Sequence, residues 1–121
     1  MMKLTVQDVF DLQEGLADLS EKELNISTSL KIGRISRVVS EEFKTAQETR
    51  SKLLQKYKDK DVGIGKIKLK EDKIEEFQQE LDELMGQEIQ VDIEQIKVDD
   101  LGAIQVKPKT INQLNSILKE D

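Results

Sequence analysis

Two neighbouring stretches of this chain carry opposite charge on the same helical apolar spacing, and that pairing favours helices laid side by side. Residues 31–60 hold nine Lys/Arg against four Asp/Glu, a balance of +5, whereas residues 71–100 hold two Lys against twelve Asp/Glu, a balance of −10. In the first stretch Ile32, Ile35, Val39, Phe43, Ala46, Leu53 and Tyr57 form one helical stripe. In the second, Ile74, Phe77, Leu81 and Leu84 follow a heptad rhythm. Apolar faces that meet in a hairpin bring charges of opposite sign together at its edges. Apolar periodicity of this kind excludes a fully disordered chain.

The spacing predicts four helices. The first covers 5–19: Thr5 precedes Asp8 by three residues in a capping-box start, and Val9, Leu12, Leu16 and Leu19 form its stripe. The second is long, 27–58, about 48 Å at 1.5 Å per residue. The third covers 71–85, ended by Gly86. Helices one and three, each about 20 Å long, are expected to lie antiparallel on helix two, one over each half. The fourth covers 110–119, opened by Thr110 and Gln113 as a second capping box, with Ile111, Leu114, Ile117 and Leu118 as its apolar face.

Between the helices the period falls to two. Segment 62–69 is too short and glycine-rich for a helix and reads as a small strand, and 88–98 and 103–106 read as strands on the alternation of Ile89, Val91 and Ile93, of Ile96 with Val98, and of Ile104 with Val106. Asp99-Asp100-Leu101-Gly102 reads as a turn. The expected fold is therefore mainly α (α+β): a long antiparallel helical hairpin with a small antiparallel β-sheet, in one domain spanning residues 1–121.

Composition narrows the function classes. The net charge of −6 argues against nucleic acid and anionic membrane surfaces as partners. No apolar run approaches the roughly 18–20 residues of a membrane span, and the opening Met1–Thr5 carries no leader-like apolar core. The chain has no His, Cys or Trp, so imidazole and thiolate chemistry are absent. Gly63-Ile64-Gly65-Lys66 fails as a phosphate loop because Lys60 and Ile67 stand where Gly and Ser/Thr are required. Asp59-Lys60-Asp61 fails as a calcium loop because Ile64 and Lys70 stand at its sixth and twelfth positions. The pairs Asp82/Glu83 and Asp99/Asp100 have no neighbours that complete a ligand set or raise a carboxyl pKa. No catalytic residue, cofactor or metal is expected.

The candidate residues are those of a protein interface. On helix two, Arg34, Arg37, Glu41, Lys44, Glu48 and Lys52 lie opposite the apolar stripe, with oppositely charged pairs four residues apart. That pattern reads as a solvated face; its functional alternative is a docking strip for a partner protein, with Arg34 and Arg37 as the candidate residues. Arg50 falls within the stripe between Ala46 and Leu53, and a buried guanidinium there requires an acid such as Glu76 or Glu80. Val38 and Leu54 flank the stripe and are expected to stay partly open in a two-layer hairpin. Small domains with incomplete cores close them by association, so a homo-oligomer is expected.

With this order of elements, the chain resembles a family of short proteins encoded by tailed phages and prophages of Gram-positive bacteria. The resemblance lies in the opening helix Leu4–Leu19, in Ile26-Ser27-Thr28-Ser29-Leu30-Lys31-Ile32, in Leu53-Leu54-Gln55-Lys56-Tyr57, in Glu88–Ile93 and in the closing region Leu101–Leu118. It implies phage origin, a place in the host bacterial cytoplasm or the virion, and no catalytic residues. Two noncatalytic roles are expected from these features together. One is a protein-binding or assembly protein, such as a virion or tail accessory. The other is a host-takeover or anti-defence inhibitor that binds a host protein through an acidic face mimicking nucleic acid. The partner is expected to be a second copy, or a bacterial or phage protein.

Overall fold

The computed structural model describes residues 2–61, 67–69 and 71–120. Strand β1 (Met2–Thr5) leads into α1 (Val6–Leu19), which turns back into α2 (Ile26–Tyr57). Strands β2 (Lys58–Asp61) and β3 (Ile67–Leu69) and a 3-10 turn at Glu71–Lys73 lead to α3 (Ile74–Met85). Then come β4 (Glu88–Val91), β5 (Ile96–Lys97), a 3-10 turn at Val98–Leu101, α4 (Pro108–Leu114), a 3-10 turn at Asn115–Ile117 and β6 (Leu118–Lys119). The fold is mainly α, a long antiparallel helical hairpin with small strand pairs, among the described residues two antiparallel and one parallel.

Local chemistry sets the helix starts. The Thr5 hydroxyl accepts from the Asp8 amide (3.1 Å) while the Asp8 carboxylate accepts from the Thr5 amide (2.9 Å), a complete capping box. Asn25 caps α2 by accepting from the Thr28 amide at 2.8 Å. At the other end of α3, Gly86 is the last cap but sits at φ −87°, so it ends the helix without the left-handed turn that a terminal glycine usually supplies.

α1 lies antiparallel on the N-terminal half of α2, and α3 on its C-terminal half. Between α1 and α2, Val9, Leu12, Leu16 and Leu19 pack with Ile32, Ile35 and Val39. Leu114 and Ile117 close this core from the other side of α1, and Ile96 and Leu101 complete it. Burial of each such leucine or isoleucine contributes about 1.5–3 kcal/mol. The C-terminal half of the hairpin is thinner. Leu53 and Leu81 are only half-buried, and Tyr57 packs edge-on against Phe77 with ring centroids 6.0 Å apart. Ile74, expected in the core stripe, is instead 49% exposed, because it starts α3 next to the 3-10 turn, where no described residue covers it to complete a first buried turn.

The strands differ from the expected single sheet. β1, not foreseen, pairs antiparallel with β4, aligning Leu4 with Ile89 and Met2 with Val91. β2 pairs antiparallel with β3; residues 62–66 of the expected 62–69 strand, with the Gly63–Lys66 motif, lie outside the described residues. β5 pairs parallel with β6, so the end of the expected 110–119 helix is extended. Segment 103–106 is not a strand: Gly102 at φ +69° turns the chain, and Ile104 and Val106 pack singly against the core. Thr110 caps nothing, since α4 already begins at Pro108. Its buried hydroxyl donates to the Asp18 carboxylate at 3.0 Å and ties α4 to α1.

The closest helix approach depends on Gly15. A Cβ there would stand 2.9 Å from both Cγ and Cδ2 of Leu114, a fully buried side chain. Gly33 on α2 has nothing within 4 Å of the same position. Gly15→Ala is therefore expected to destabilise, its overpacking cost of about 1–3 kcal/mol exceeding a helix-propensity gain of about 1 kcal/mol. Gly33→Ala should stabilise by up to about 1 kcal/mol. Denaturant melts of the two variants, moving in opposite directions, check the packing of α4 on α1.

Candidate functional site

The β1–β4 pairing decides what stands beside α2. The Val6 amide donates to the Gln87 carbonyl at 2.9 Å, so β4 starts beside the head of α1 and ends at buried Val91. The residues after it, 92–95, then run past the second to fourth turns of α2. Between them opens a groove of about 560 Å³, lined by Lys31, Arg34, Ile35, Arg37 and Val38 of α2 and by Asp92, Ile93 and Glu94. Ile35, Val38 and Ile93 form its apolar floor, and all three belong to or pack against the core.

The groove's charges are unevenly used. The Lys31 ammonium lies 3.7 Å from the Glu94 carboxylate, which fastens the loop to the helix. Arg34 and Arg37 are exposed, and neither has an anionic partner among the described residues. Each offers five N–H donors in a planar fork suited to carboxylates. At the N-terminal end of the groove, α2 also exposes two large apolar side chains, Ile26 (80%) and Leu30 (58%).

Three of the five interface candidates, Arg34, Arg37 and Val38, therefore converge on one groove. Arg50 does not join them, and it is not buried. It is exposed, its guanidinium carbon 5.7 Å from the centre of the Phe10 ring, which itself packs edge-on with Phe43 at 5.1 Å. The acids proposed for it are engaged elsewhere: Glu80 accepts from Lys56 at 3.0 Å and Glu76 from Lys73 at 3.2 Å. The reason is the hairpin's shape. Near the head of α1 the stripe of α2 runs out from under cover, and the half-buried ring of Phe10 offers a cation–π contact that leaves the guanidinium in water. Leu54 is half-buried one turn further on, as expected. Lys31 and the 92–94 loop escaped sequence reading, since only the strand pairing with the N-terminus brings that loop to α2.

The Lys56–Glu80 pair is the charged clasp between α2 and α3. The hydrogen bond from Lys56 holds the Glu80 carboxyl below its ordinary range, and the same bond raises the Lys56 ammonium above its own. Among the described residues no cluster of three or more acids is placed to hold a metal ion, and no helix is long and apolar enough to cross a membrane. Comparisons with protein-family models, with curated proteins and with solved structures give no match.

Because the Glu80 value is depressed, its stabilising contribution is complete above the ordinary carboxylate range and is lost as pH falls through its lowered value. Tyr57 is the chain's single tyrosine and there is no tryptophan, so near-ultraviolet circular dichroism at the tyrosine band reports the packing of α3 on α2. The band should weaken in acid below the carboxylate range. In Glu80→Gln the band should be only slightly weaker at neutral pH, because an exposed ion pair contributes little, and the acid step should shrink. An unchanged acid step in Glu80→Gln would assign the pH response to another carboxyl group.

Proposed function

We propose that this is a noncatalytic protein-binding or assembly protein of phage origin that works through the α2 groove, as an accessory of the virion or tail. The observation that carries the reading is the pair Arg34 and Arg37, two guanidinium forks without anionic partners among the described residues, set over the apolar floor of Ile35, Val38 and Ile93. Arginine is enriched among the residues that carry the binding energy of protein interfaces, where its surroundings exclude water. A chain without imidazole or thiol suits recognition better than catalysis. Its setting on this reading is the host bacterial cytoplasm or the virion.

A second reading is favoured by α3 itself, where Glu75, Glu76, Asp82 and Glu83 are all exposed. Carboxylates spread along one exposed helix suit a host-takeover or anti-defence inhibitor that occupies a host protein's nucleic-acid site. The two readings separate in a pull-down from infected Gram-positive cells with wild-type protein, Arg34→Ala/Arg37→Ala and Glu75→Gln/Glu83→Gln. The assembly reading expects a phage structural protein, retained by wild type and by the α3 variant but lost by the arginine variant. A host nucleic-acid-binding protein lost only with the α3 variant would favour the inhibitor. Identical recoveries with all three proteins would overturn the groove as a site for a heterologous partner.

A further inference from the structure

We propose that the groove's occupant is a second copy of this chain, in a two-fold dimer that sets the two α2 helices antiparallel and lays the acidic α3 of each against the Arg34/Arg37 groove of the other. The inference rests on the groove being a binding site, and it names the partner.

Placement carries the argument. Val38, on the groove floor, and Lys56, which holds Glu80 of α3, stand 18 residues apart on α2. That separation is about five turns at 3.6 residues each, so both project from one edge of the helix. The groove and α3 thus occupy the same edge at opposite ends. A dyad crossing α2 near its midpoint, between Glu41 and Glu42, reverses the helix direction and keeps that edge on one side, so each groove meets the other copy's α3. In that register Arg34 and Arg37 fall opposite positions 46–49 of the other α2. Within each chain, Ala46 and Thr49 line a small recess with Leu84, so the partner's Asp82 and the partner's Glu83 come to the two arginines. Ile26 and Leu30 fall opposite positions 53–57, beside which α3 begins with the exposed Ile74. Both the charges and the uncovered apolar residues then find counterparts, and each contact occurs twice, as an isologous interface requires. The excess of cations in residues 31–60 and of acids in residues 71–100 supplies the complementarity.

Sedimentation velocity of the full chain, from micromolar to hundred-micromolar concentration, tests the proposal. Wild type is expected to sediment at twice the chain mass, and association should weaken with added salt. Arg34→Glu/Arg37→Glu should weaken association at least tenfold while keeping the wild-type helix content by far-ultraviolet circular dichroism, since both residues are exposed, and its melting temperature should lose the concentration dependence that association gives the wild type. Glu75→Lys/Asp82→Lys/Glu83→Lys should do the same, and mixing the two monomeric variants should restore a mixed dimer. A wild-type monomer throughout the range, a dimer indifferent to the arginine reversal, or a mixture that stays monomeric would each overturn the homodimer. None of those outcomes alters the pull-down, where loss of a heterologous partner with Arg34→Ala/Arg37→Ala is read independently.

Discussion

Most of the molecule depends on the seam between α1 and the N-terminal half of α2. Val9, Leu12, Leu16 and Leu19 meet Ile32, Ile35 and Val39 there with almost no exposure, and the remaining pieces are added to this pair. Leu114 and Ile117 reach α1 because Gly15 removes the one side chain that would hold α4 away. The Thr28 hydroxyl, buried at the start of α2, donates to the Asp100 carbonyl at 2.9 Å and brings in the turn that carries Leu101. Each of these attachments uses either a missing side chain or a satisfied buried hydroxyl. Neither leaves an unpaired polar group in the core.

The other half of the hairpin is built differently. Around α3 the contact consists of one aromatic pair, partly buried leucines and the Lys56–Glu80 clasp. An exposed ion pair contributes little to stability, so α3 is held mainly by Tyr57 and Phe77, with charge setting its alignment. A protein with four aromatic residues has spent them at the edges of its helix contacts: Phe10 with Phe43 where α1 begins, and Tyr57 with Phe77 where α2 ends. Aliphatic side chains fill the seam, where close packing is needed, and rings cover the places where it runs out.

That division also explains what was legible in the sequence. Where a stripe meets another stripe, its period is enough: α1, α2 and α3 stand within a residue or two of their expected limits once the 3-10 turn before α3 is counted with it. Where pairing is non-local, the pattern misleads. Four residues before α1 give no strand signal by themselves, yet Leu4 and Met2 pair with Ile89 and Val91. Ile104 and Val106 alternate like a strand only because each reaches the core from an irregular segment. Arg50 departs from its wheel position for a related reason. Its place on the wheel is apolar, but α1 ends before covering it, and a wheel carries no information about where a neighbouring helix stops. Arg34, Arg37 and Val38 were readable as surface candidates, but their assembly into one groove depended on the 92–94 loop.

The groove shows how similar cations take different work. Lys31 is mostly buried along its stem and is already committed to Glu94. Its compact ammonium is strongly hydrated, and a single exposed carboxylate satisfies it while it pins the loop. Arg34 and Arg37 lie one and two turns further on, facing solvent. A guanidinium is more weakly hydrated and planar, so it loses less than an ammonium when an interface covers it, and it can meet a carboxylate with two parallel hydrogen bonds. Left in water, each costs the fold nothing. Beside Ile35, Val38 and Ile93, each has an apolar floor that a docking surface would bury together with it. The chain therefore keeps its lysine for its own architecture and presents its arginines outward, and the groove can form without first binding anything.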